Sequence, residues 1–300
     1  GETWGRHRYM AALEFEHNTD KSEKYLINYT TVRPMELKVL YEAISGETPV
    51  DQLTTFFGHP HEGDHDHIDT SVQFLEAIDM VSRSPQGVLT RVNEDVVGEE
   101  LSFEVRMLLH LMQQPAPYNQ LIETIRAGLT AADDVRISME ALKEAANRRD
   151  LAVQINDEKM RMWARFFEAL GVINVDEDDE VYFLPMRRLM YDLFALAADQ
   201  GADSDFVEAV RWVHETAMPI ITETEGTVQV HRGTALVLRG LEAEGVVEFE
   251  AMGDRDQYIG LPEAEDSVGK PTEFALRSLP PDDVANAYPM ELMRTGVLYG

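Results

Sequence analysis

Three stretches of the chain carry the same pattern of apolar and polar positions. FLEAIDMVSRSPQGVLTRV from Phe74, FFEALGVINVDEDDEVYFL from Phe166 and VLRGLEAEGVVEFEAMGDRDQYIGL from Val237 each open with apolar residues at helical spacing, then pass into period-two alternation broken by a polar turn. Spacings of three and four put apolar side chains on one helix face, and strict alternation puts them on one strand face. Each stretch therefore predicts a helix that feeds a β-hairpin.

The pattern around these stretches predicts three units. AALEFEH, NTDKSEK and YLINYTTVR, within residues 11–33, read as strand, polar loop and strand, giving an N-terminal β-hairpin arm over 1–34. Arg33-Pro34 disfavours helix before the proline and favours one starting at it. Unit one, residues 35–97, has helices over Met35–Ile44, from Thr48-Pro49 to Phe57 and over Ile68–Met80, then a ribbon at Val88–Val92. Unit two, 98–200, begins with the apolar run FEVRMLLHLM and a helix opened by Pro117. It continues with a long helix over Asp133–Arg149, a short strand LAVQI and a helix capped by Asn156 or Asp157 that ends at Leu170. Its ribbon turns on the acidic DEDDE. The helices PMRRLMYDLFALAA and DFVEAVRWVHETA flank Gly201, and the second opens unit three, 201–262, which adds the strand TVQV, a helix over Thr234–Glu244 and a hairpin turned at Gly253-Asp254. Residues 263–300 read as an irregular tail with PMELMRTGVLY as a docking segment. The expected class is mainly α with short β-hairpins (α+β).

The helix-to-ribbon runs resemble the ends of winged-helix units, and residues 35–262 resemble tandem winged-helix proteins, most like the archaeal MarR or ArsR style of unit. That resemblance implies a non-enzymatic, DNA-associated protein, either a transcription regulator or a subunit of a DNA-processing, segregation or defence complex. The helix before the wing would read DNA, a role that falls to Arg161 and Arg165 in unit two and Arg239 in unit three. Arg148, Arg149 and Lys159 extend the basic strip of unit two, and Arg232 that of unit three. A second reading is a scaffold whose winged helices bind only protein or a second copy of the chain. Unit one favours it: its third helix carries Asp69, Glu76 and Asp79, and the connection before that helix is near ten residues, where DNA readers use three or four.

Charge changes the setting of both readings. The chain has 55 Asp plus Glu against 26 Lys plus Arg, a net of -29, and only Lys21, Lys24, Lys38, Lys143, Lys159 and Lys270 supply ammonium groups. Such a surface resembles the proteins of salt-loving archaea, where a screening length of about 3 Å at molar salt removes carboxylate repulsion. There are no cysteines, so disulfides and thiolate metal sites are excluded. No apolar run reaches the 18 or so residues of a membrane span, and GETWGRHRYM lacks a signal-peptide core, so the expected location is cytoplasmic with no membrane partner.

One cluster points elsewhere. HPHEGDHDH, residues 59–67, offers His59, His61, Asp64, His65 and His67 as ligands for zinc or another divalent metal, since imidazole and carboxylate are what such ions accept without thiols. It falls one residue out of register with the HxHxDH run of metallo-β-lactamases. A metal-dependent hydrolase using this loop is the third reading. His214-Glu215 opens like a zincin HExxH helix, but Met218 stands where the second histidine is required. Glu140 with Lys143, and Asp157 with Lys159, form nuclease-like acid and lysine sets that helix-surface spacing explains equally well. No phosphate loop, dinucleotide fingerprint or nucleophile elbow is present. The expectation is weighted against catalysis, with no cofactor other than that metal.

Overall fold

The computed structural model describes residues 18–57, 66–92, 94, 101–263 and 268–280. The chain is mixed α+β, about 48% helix with 15% strand in small sheets.

Unit one runs α1 (Pro34–Ala43), β1 (Thr48–Pro49), α2 (Val50–Phe57), α3 (Asp66–Ala77), β2 (Val81–Arg83) and β3 (Val88–Arg91). All strand pairs are antiparallel and the sheet order is β1-β3-β2. Helix α4 (Phe103–Met112) follows. Unit two repeats the order: α5 (Gln120–Ala131), β4 (Arg136–Ser138), α6 (Met139–Asn147), α7 (Asp157–Ala169), β5 (Asn174–Val175) and β6 (Glu180–Tyr182), with sheet order β4-β6-β5. Helix α8 (Arg187–Ala197) leads into unit three, which has α9 (Phe206–Thr216), β7 (Ile221–Thr224), β8 (Thr227–Val230), α10 (Arg232–Ala243), β9 (Val247–Glu250) and β10 (Glu273–Leu276). A hairpin thus replaces the single strand and second helix of the other units.

The three repeated runs leave their helices by one device. After α3, the amide N–H of Asp79 donates to Glu76 O and that of Met80 to Leu75 O; after α7, Gly171 and Val172 donate to Glu168 O and Phe167 O; after α10, Gly245 and Val246 donate to Glu242 O and Leu241 O. This double bond pattern closes a helix through a left-handed residue. The three exit residues have φ of 59°, 83° and 72°. Aspartate tolerates the left-handed region better than most side chains, so Asp79 does in unit one what glycine does in the other two.

Several expectations change. Tyr25–Arg33 is not a strand: it holds a single 3-10 turn, Leu26–Asn28, and Leu26, Ile27, Tyr29 and Val32 are buried in the core. The first strand expected in that arm, up to residue 17, lies outside the described residues. The long helix over Asp133–Arg149 is broken, because Asp134 is left-handed at φ 61°; β4 and then α6 follow, with Ser138 capping α6 through Ala141 N. LAVQI forms no strand. The side chain of Asn147 holds the N–H and C=O of Ile155 at 2.8 Å each, which satisfies that residue's backbone groups without a strand partner. In unit three, β9 pairs not across Gly253-Asp254 but with β10, so the unit extends beyond 262. Phe249 and Phe274 are cross-strand partners that pack on Phe206 and Phe194.

One apolar core runs through all three units. Rings connect them in sequence: Tyr29 to Phe74, Phe74 to Phe166, Phe166 to Phe167, Phe167 to Trp163, Trp163 to Phe183, and Phe183 to His231, with centroids 5.3–6.4 Å apart. The Phe74–Phe166 contact joins α3 directly to α7. Helix α4, buried from Phe103 to Leu111, packs against α5, α8 and α9.

Candidate interaction surface

The helix before the ribbon is the element expected to meet a partner, so its outward stripe defines the candidate site. On α7 only Asp157, Glu158, Arg161, Arg165 and Glu168 are exposed, because Met160, Met162, Trp163, Ala164, Phe166 and Phe167 are buried. The expected division of faces holds, with Trp163, Phe166 and Phe167 inside and Arg161 and Arg165 outside. The exposed strip is narrow and alternates in sign.

Counting from the exit residue, one position recurs in each unit. Six residues before it stand Gln73, Arg165 and Arg239. Gln73 Nε2 donates to Lys21 O at 3.4 Å, and Arg165 Nη2 to Thr30 O at 3.0 Å. Arg239 donates to Pro262 O, Leu261 O and Val268 O at 3.1, 2.9 and 2.7 Å. All three helices are therefore crossed, on the face expected to read DNA, by a segment of the chain itself held through its backbone carbonyls. The equal offsets were present in the sequence, but a polar residue on a helix face does not reveal what lies across it.

The other basic positions are also engaged. Arg149 pairs with Glu123 at 2.7 Å, Lys159 Nζ donates to Gln154 O at 3.2 Å, and Arg232 pairs with Glu263 at 2.6 Å and with Asp134. Arg239 also pairs with Glu242 at 3.0 Å. Arg148 and Arg161 alone of the seven have no side-chain hydrogen bond or salt bridge among the described residues. Lys143 bridges Glu140 at 2.9 Å and Asp157 at 2.7 Å. The Asp157 hydrogen bond, followed by that of Glu140, pushes its pKa up to about 12. Lys143 holds the Asp157 carboxyl below its usual range, with a smaller contribution from Arg161. These groups are solvated and tie the start of α6 to the start of α7.

The ribbon tip of unit two is acidic across residues 176–179. Asp176 Oδ1 accepts the N–H groups of Asp178 and Glu180 at 2.9 Å each, and Oδ2 the Tyr182 hydroxyl at 3.1 Å. These bonds, the Glu180 amide first, hold its pKa down. A wing facing phosphate would meet repulsion here.

Of the metal candidates, His59, His61, Asp64 and His65 lie outside the described residues, and His67 is half-buried on α3. Among the described residues no group of three His, Asp or Glu side chains is placed to hold a metal ion. The histidines inside helices serve the fold. His214 Nδ1 accepts the N–H groups of Ile220 and Ile221 at 3.0 and 3.1 Å, and burial lowers its pKa. His231 caps α10 by accepting from Gly233 N at 3.2 Å. No described helix is long and apolar enough to cross a membrane.

No protein-family model, curated protein or solved structure matches the chain.

Proposed function

We propose that the chain is a non-enzymatic scaffold of tandem winged-helix units whose surfaces bind protein rather than read DNA. The order helix, strand, helix, helix, strand, strand with the first strand beside the third supports the winged-helix reading of units one and two. Unit three is a variant with a hairpin in place of the second helix. The observation that carries the functional reading is the carbonyl contact at Gln73, Arg165 and Arg239. A reading helix must bring side chains to base edges in a groove about 12 Å wide, and these helices have that face crossed by their own chain.

Arg148 and Arg161 leave a DNA-associated reading with one specific support, which the same experiment weighs. Duplex binding is followed by fluorescence anisotropy across a KCl series, while the tagged chain is purified at native abundance and any co-purifying protein is reconstituted from pure components. A stoichiometric protein complex with no duplex binding supports the scaffold. A salt-sensitive duplex signal abolished by Arg148→Glu with Arg161→Glu, with no protein complex, replaces it with the DNA reading.

A further inference from the structure

The outward stripe of α3, met by the chain at Gln73 through the Lys21 carbonyl, keeps a groove beside that contact. At the offsets where unit two has Arg161, Arg165 and Glu168, unit one has Asp69, Gln73 and Glu76. Together with Lys21, Thr70 and Arg83 these line a groove of about 530 Å³, within the range of small-molecule sites. Its charges are arranged in a definite way. Glu76 forms a buried floor, its carboxylate receiving Arg83 Nε at 3.0 Å and Nη2 at 3.5 Å. Asp69 and Lys21 are exposed on the groove, and among the described residues neither side chain has a partner. They are opposite charges lining one groove without pairing across it, in a chain whose arginines mostly find carboxylates.

We propose that this groove binds a small zwitterion of dipeptide size, with the ammonium group on Asp69 and the carboxylate on Lys21, reinforced by Arg83. Among the described residues the lining carries two positive and two negative side chains, so neither a polyanion nor a polycation is favoured over a molecule bearing both charges. Thr70 and Gln73 also line the groove, and the Thr70 hydroxyl and the Gln73 amide oxygen offer polar groups to a peptide bond while the Gln73 amide nitrogen holds Lys21 O. Charge-assisted hydrogen bonds at both ends supply most of the recognition, because the groove is open and removes little apolar surface from water. The site is independent of the scaffold reading.

The probe is L-alanyl-L-alanine, compared with its C-terminal amide and its N-acetyl derivative, by calorimetry in the lowest KCl that keeps the chain folded. The free dipeptide is expected to bind with Kd on the order of 1 mM or tighter, and each blocked form at least about tenfold more weakly. Asp69→Asn and Lys21→Met, both at exposed positions, are expected to lose that binding while their far-UV spectra stay unchanged. Absence of heat from the free dipeptide up to about 10 mM, equal binding of the blocked forms, or unchanged binding by both variants would each overturn the proposal.

Discussion

Lys38 and Glu104 form an ion pair at 2.8 Å whose side chains are 2% and 0% exposed, joining α1 to the buried α4. Desolvating two charges offsets most of their attraction, so the pair adds little net stability while intact. Losing one partner is different, because the attraction between the two is lost while the remaining charge stays buried. Lys38→Met is expected to cost about 3–5 kcal/mol in urea unfolding, and Lys38→Met with Glu104→Leu to recover most of it. Equal losses in the single and double variants would mean that packing, not charge, sets the effect. Glycines give a second residue-scale prediction. A Cβ on Gly233 would lie 1.7 Å from Phe183 O, and one on Gly128 2.1 Å from Phe183 Cζ, whereas one on Gly240 meets nothing within 4 Å. Gly128→Ala and Gly233→Ala are expected to lower stability by at least about 1–3 kcal/mol. Gly240→Ala should raise it by about 0.5–1 kcal/mol, since alanine restricts the unfolded chain and favours helix. Thermal melts of the three variants check this, and a neutral Gly233→Ala would show that the seat of Phe183 on α10 can shift.

At the scale of elements, α4 is a titratable joint. His110 Nδ1 lies 2.7 Å from Ile78 O, so the neutral ring carries its proton on Nδ1 and donates. Burial, aided by Arg106 and opposed by the Ile78 bond, lowers its pKa to about 4. The unfolded chain takes up this proton near pH 6.5 and the folded chain only near pH 4. Its contribution is therefore complete above pH 6.5 and falls as acid is added through that window, by about 3 kcal/mol. Urea midpoints from pH 7.5 to 4.5 should drop more steeply for the parent than for His110→Asn; parallel curves would assign the acid sensitivity to other groups. The exits after α3, α7 and α10 were legible because each needs a local signal, a left-handed residue after an apolar helix. Ribbon partners were not, as β10 is chosen by Phe274 meeting Phe249 and Phe194. Likewise Tyr25–Arg33 alternates like a strand, yet its side chains enter a core built from distant residues. The one-turn spacing of Arg161 and Arg165 puts both on the outer face, but what meets Arg165 belongs to a segment 135 residues away.

For the whole molecule, the net charge of -29 sets two electrostatic effects against each other. Added salt weakens surface ion pairs such as Arg149–Glu123 and Arg277–Glu248, each worth about 0–1 kcal/mol at most. It also screens the repulsion among unpaired carboxylates, as the screening length falls from about 10 Å at 0.1 M to about 3 Å at 1 M. With roughly two acids for every base, most carboxylates have no cation to lose, and the second effect wins. Stability is therefore expected to rise with KCl between 0.1 and 3 M, with most of the gain below 1 M because the screening length changes most there. Choline chloride, matched for ionic strength but with a bulkier cation, should give a similar early rise if screening is the cause. A melting temperature that stays flat or falls as KCl increases would mean that ion pairs, not carboxylate repulsion, dominate this fold.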